Sequence, residues 1–127
     1  MTQTRKTITE KPFIGMGATH YLWTDSQAYQ VAIIDKKKNY DLITLGRCVA
    51  ERIDDKGMCN DGQEYTYKLR RWGWNRKYLK CYTTEYDNRK HYEYVQVEYN
   101  EKTKRWNKCK KQNILLGHQK EFYDYSF

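Results

Sequence analysis

Apolar and polar residues alternate with period two along several stretches of this chain. Such alternation is the mark of strands that bury one face. Residues 27–35 (QAYQVAIID) predict a strand with the Tyr29 ring, Val31 and Ile33 on one face. Residues 41–53 predict its hairpin partner, with Leu42, Thr44 and Gly46 alternating against Ile43, Leu45 and Arg47. The polar residues 36–39 (KKKN) form the loop between them. In residues 63–69 (QEYTYKL), Tyr65, Tyr67 and Leu69 face one way and Thr66 and Lys68 the other. Residues 92–100 (YEYVQVEYN) place Val95, Val97 and Tyr99 opposite Tyr94, Gln96 and Glu98. A turn at 101–104 and a return strand from Arg105 follow. Residues 19–23 and 81–86 are shorter strand candidates, and Asp25-Ser26 supplies a turn. A short segment at 110–123 is the one helix candidate, without a clear 3.6-residue stripe.

Short strands separated by turn residues predict an all-β fold. The expected form is a small antiparallel SH3-like barrel or meander, extended by a second β-hairpin, with little helix. Residues 1–12 read as a flexible N-terminal arm and residues 13–127 as a single β domain. Thirteen Tyr and four Trp argue against disorder. No apolar run approaches the roughly 18 residues that cross a bilayer, and the N-terminus lacks a signal-peptide apolar region. An intracellular protein without a membrane partner is expected.

Charge then changes the picture. The net charge is +8. Residues 1–66 carry nine Lys/Arg and nine Asp/Glu, whereas residues 67–127 carry fifteen against seven. The whole excess lies in the second half, as on a surface that meets a polyanion. There the cations interleave with rings, which suits phosphates and bases respectively. Within the run RRWGWNRK and just beyond it, the candidate contacts are Arg70, Arg71, Arg76, Lys77 and Lys80 as cations, with Trp72 and Trp74 as stacking surfaces. The competing reading puts both Trp rings over the core and leaves the cations solvated.

Chemistry of other kinds has weaker signals. Cys48, Cys59, Cys81 and Cys109 contain no Cys-x-x-Cys pair, so reduced structural thiols are expected rather than a zinc site. Asp54, Asp55 and Asp61 lack the calcium-loop pattern and read as turn carboxylates. His20 and Asp25 could meet across a turn, but no nucleophile motif accompanies them. The GMGAT run has no Gly-Lys-Ser/Thr ending and is not a phosphate loop. No catalytic residue, metal or cofactor is assigned. The terminal EFYDYSF is read either as a docked closing strand, which is favoured, or as an exposed aromatic hook.

Three segments together carry a resemblance: GMGATHYLWTDSQAYQV at 15–31, RIDDKGMCNDGQEYTY at 52–67 and LLGHQKEFYDYSF at 115–127. They resemble a family of small proteins encoded by bacteriophages and prophages. The matching positions are Gly15, Gly17, Ala18 and Thr19; Gln63, Tyr65 and Tyr67; and Leu116, Gly117, Tyr123, Asp124 and Phe127. The turn reads Asp25-Ser26 where the family usually has Ser-Asp. The resemblance implies a phage origin, a compact module and the cytoplasm of the bacterial host, and it implies no catalysis. The function expected is that of a non-enzymatic accessory protein. It would bind nucleic acid or a host ribonucleoprotein and inhibit a host defence in the manner of an anti-CRISPR protein. Two alternatives stay open: an oligomeric sponge that binds a nucleotide messenger, and a purely structural or protein–protein module.

Overall fold

The structure is a computed structural model that describes residues 5–55, 57, 60–69 and 76–123. Those residues form nine strands and no helix. They are β1 (Lys6–Ile8), β2 (Gly17–Tyr21), β3 (Ser26–Lys36), β4 (Asp41–Arg52), β5 (Tyr65–Leu69), β6 (Lys77–Tyr86), β7 (Arg89–Asn100), β8 (Arg105–Lys108) and β9 (Ile114–Leu116). All pairings are antiparallel, in the order β1-β7-β6-β4-β3-β2-β9. The expected all-β fold is therefore present. Of its two expected forms the meander is adopted, because the sheet stays open.

Long strands serve two partners along one edge. The first half of β4 pairs with β6 and its second half with β5. Likewise β7 holds β1 at Tyr92 to Tyr94 and β8 at Val97 to Asn100. Between them, on this edge of β7, Gln96 meets no strand, and the Gln112 side chain takes that place. Its Oε1 accepts from Gln96 N at 2.7 Å, and its Nε2 donates to Gln96 O at 2.9 Å. One amide side chain thus reproduces a rung of the ladder.

The sheet curls around one core of Met16, Ala18, Tyr29, Val31, Ile43, Leu45, Leu79, Cys81, Tyr92, Tyr94, Ile114 and Leu116. Its two terminal strands, β1 and β9, are joined by side chains instead of a ladder. The Lys6 ammonium donates to Ile114 O at 2.9 Å and to Gln112 O at 3.0 Å. Leu116 N donates to the Tyr94 hydroxyl at 2.9 Å. Burial pushes the Lys6 pKa down and the Tyr94 pKa up, the latter partly offset by the Leu116 bond.

Three expectations are corrected. The arm reading of residues 1–12 extends too far, because Lys6–Ile8 is strand β1. Ile8 packs on the core, and Lys6 holds two carbonyls. Ile33 does not share a face with Tyr29 and Val31. The register slips between Val31 and Ile33, as at a β-bulge, so Ile33 points out at 47% exposure while Ile34 takes the core side. The helix candidate at 110–123 is instead strand β9 followed by an irregular segment up to Tyr123.

That segment is docked through hydrogen bonds. Ser26 and Phe122 exchange two backbone bonds of 3.0 Å. Thr19 Oγ1 donates to His118 O at 2.6 Å and accepts from Lys120 N at 3.1 Å. The Gln63 amide bonds both backbone groups of Tyr123. Residues 121–123 are thus tied down, Phe122 by one isolated bridge and not as part of a closing strand; residues 124–127 lie outside the described residues.

Candidate nucleic-acid interface

The face of the sheet opposite the core is set by register. Leu42 pairs with Lys80 and Lys80 with Val95; Thr44 pairs with Tyr78 and Tyr78 with Val97. Directly paired residues project to the same side. Leu42, Val95 and Val97 form a second apolar cluster there, overlaid by Tyr40, Tyr78, Tyr82 and Trp106. β4 is consequently buried on both faces, since Ile43 and Leu45 enter the main core.

The rings on this outer face contact one another. Trp106 meets Tyr78 edge-on with centroids 4.9 Å apart and Tyr99 with centroids 5.1 Å apart. Tyr40 and Tyr82 lie 6.0 Å apart, and Tyr86 stacks on His91 at 3.9 Å. Tyr99 and Tyr86 are about half exposed. Cations lie over the rings: Lys80 Nζ is 4.6 Å from the Tyr40 centroid, and the Arg5 guanidinium is 3.9 Å from that of Tyr82. Arg5 also pairs with Glu93 at 3.1 Å, so its charge is partly compensated within the protein. Arg89 is exposed and faces Tyr86 across the β6–β7 hairpin. Its two turn residues, Asp87 and Asn88, have φ of 54° and 60°, as a two-residue type I′ turn requires.

The residues expected from sequence divide into groups. Arg70, Arg71, Trp72 and Trp74 lie outside the described residues. Arg76 is exposed, one position ahead of β6. Lys77 and Lys80 do not converge. Lys77 pairs with Leu45 on the core side of the sheet, whereas Lys80 pairs with Leu42 on the outer side. The sequence pattern alone did not single out Tyr40, Tyr78, Tyr82, Tyr99 and Trp106 as a set. The available signal was the alternation Tyr78-x-Lys80-x-Tyr82, which places all three on one face.

Other candidates resolve into structural roles. Asp54 accepts from Arg52 Nε at 2.7 Å and from Glu64 N at 2.8 Å, closing the loop between β4 and β5. Among the described residues no group of three or more His, Cys, Asp or Glu is placed to hold a metal ion. Cys48, Cys81 and Cys109 are free thiols. No helix among the described residues is long and apolar enough to cross a membrane. No protein-family model, curated protein or solved structure gives a significant match to this chain.

Proposed function

We propose that the protein binds single-stranded nucleic acid, free or within a ribonucleoprotein, on the outer face of β4, β6, β7 and β8, without catalysing a reaction. The observation that carries this reading is the gathering of Tyr40, Tyr78, Tyr82, Tyr99 and Trp106 on one sheet face, with Lys80 among them and Arg89 beside Tyr86 at the hairpin end of that face. Sheet faces bearing rings accept two or three unstacked bases in known single-strand binders. The rings most open to a base are Tyr99 and Tyr86; Trp106, itself against Tyr78, packs on Tyr99.

Phosphates would be met by exposed cations around this face. Lys104 sits in the turn of the β7–β8 hairpin, and Arg76 precedes β6. The run Arg70, Arg71, Trp72 and Trp74 enters β6 directly in sequence, and we assign it to the same partner. The biological setting we infer is that implied by the phage resemblance: an accessory protein that obstructs a host defence complex of the CRISPR type. Fluorescence anisotropy of a labelled oligonucleotide, titrated with the protein across a salt series, tests the binding reading. Absence of binding at low salt overturns it.

A further inference from the structure

The two open rings of the outer face stand at its opposite ends. Tyr86 pairs with Arg89 beside the turn of the β6–β7 hairpin, and Tyr99 lies ten residues on from Arg89 along β7, paired with Trp106. At about 3.3 Å per residue the two rings are roughly 30 Å apart. One face of the Tyr86 ring lies flat on His91, with planes 6° apart, which leaves the other face for a base. Tyr99 has Trp106 edge-on against it and is open to a similar degree. Each end also has a cation in register: Arg89 opposite Tyr86, and Lys108 opposite Val97, one same-face position from Tyr99.

The rows between these ends continue the same chemistry. On β6 the outward positions are Tyr78, Lys80, Tyr82 and Thr84, because each pairs with an outward residue of β7. Lys80 lies over the Tyr40 ring and Arg5 over the Tyr82 ring. Among the outward positions of β6 and β7, Glu93 is the one carboxylate, and Arg5 pairs with it at 3.1 Å. A ligand that follows these two strands therefore meets rings and cations throughout. Across the strands the track stops. Ile33 pairs with Thr44 and Asp35 with Leu42, so the outer side of β3 presents an aliphatic side chain and a carboxylate in place of rings.

We infer that the face takes one extended oligonucleotide strand laid along β6 and β7, with one base on Tyr86 and another on Tyr99. This placement depends on the outer face being a nucleic-acid surface, and it sets the length of the ligand. A strand at the duplex spacing of about 3.4 Å per nucleotide covers 30 Å with about nine nucleotides, and one stretched twofold covers it with about five. A single nucleotide reaches only one of the two rings, so the site selects an oligonucleotide over a nucleotide messenger. Once one end is seated, the other ring is met at a high effective concentration. Such bridging raises affinity by about 100-fold or more without any new kind of contact.

The test is competition on the full chain by unlabelled oligothymidylates of about 3, 6 and 12 nucleotides against a labelled strand of the longest length. The wild-type chain is expected to bind the longest strand about 100-fold or more tightly than the shortest, beyond the roughly tenfold that extra registers supply. Tyr86→Ala and Tyr99→Ala, both at exposed positions, are each expected to cut that gain to about tenfold. Each should weaken the shortest strand by no more than about twofold, since the other ring remains. Circular dichroism checks the fold of both variants, and the length series on the wild-type chain needs neither. A wild-type gain of about tenfold or less overturns the two-ended placement and leaves the single-strand reading intact. So does a shortest strand that loses as much as the longest to either substitution. Failure of every length to bind overturns that reading as well.

Discussion

Arg47 and Glu121 form a two-bond ion pair, with Nη1 to Oε1 at 2.8 Å and Nη2 to Oε2 at 3.0 Å. The two side chains are only 13% and 16% exposed. Arg47 Nη1 also donates to Ala28 O and Cys48 O, and Glu121 Oε1 accepts from Ala28 N. The pair thus fastens the segment after β9 to the middle of β3 and β4. Its value lies in the cost of breaking it, since a lone buried charge is worse than a pair. Glu121→Ala is expected to lower stability by about 2–4 kcal/mol, somewhat less than for a fully buried pair. Urea unfolding checks this, and an unchanged midpoint contradicts the fastening role.

Gly17 is packed without room for a side chain. A Cβ there would stand 2.7 Å from Gln119 Cβ, and Gly117 N donates to Gly17 O at 2.8 Å. The obstructing atom sits at the base of its side chain, so the backbone of the 117–119 segment must shift. Gly17→Ala is expected to destabilise by about 1–3 kcal/mol. Thermal unfolding of this variant with no drop in midpoint would count against the close approach.

The thiols should be poor nucleophiles in the folded state. Burial pushes Cys81 up to about 12, with Asp41 adding to it, and burial also raises Cys48. At pH 8 almost no thiolate is available at Cys81. Site-resolved alkylation should leave Cys48 and Cys81 unmodified in native buffer and modify both in denaturant. Fast native labelling of Cys81 would contradict its place in the core.

His20 gives a pH dependence with a definite sign. Its pKa is lowered by burial and then by Lys77; a hydrogen bond with Gln27 raises it, and Arg47 lowers it and Asn113 raises it by less. The unfolded chain therefore takes up a proton at a higher pH than the folded chain. The stabilisation from keeping this ring neutral is complete above about pH 6.5 and is lost as the pH falls toward the folded value. Stability measured from pH 7.5 to 5 should decline, and His20→Gln should flatten that decline. Parallel curves for the two proteins would refute the assignment.

Much of this architecture was legible in the chain. The β3–β4 hairpin, the turn at 101–104 and the β7–β8 return follow from alternation and turn residues alone. The parts that escaped depend on partners distant in sequence. Lys6–Ile8 has too few residues to signal a strand, and it becomes one through β7 and the carbonyls of residues 112 and 114. Nothing local in VAII marks the slip that turns Ile33 outward. The candidate site escaped for a similar reason. The run of cations at 70–80 drew attention by density, whereas period-two geometry sends Lys77 and Lys80 to opposite faces. The aromatic set assembles from three strands and the β3–β4 turn, and no single segment contains it.

The central claim is tested most directly by salt-titrated binding of a labelled single-stranded oligonucleotide to the wild-type chain, to Tyr99→Ala, and to Lys80→Glu with Arg89→Glu. If about four cations reach phosphates, the slope of log affinity on log salt is about −2.8, so binding weakens roughly 50-fold between 50 and 200 mM. Tyr99→Ala should lose roughly 1–3 kcal/mol with little change in slope, as for one stacked base. The double charge reversal should weaken binding and flatten the slope. Wild-type binding that is absent at 50 mM salt, or that is indifferent to all three outer-face substitutions, contradicts the account.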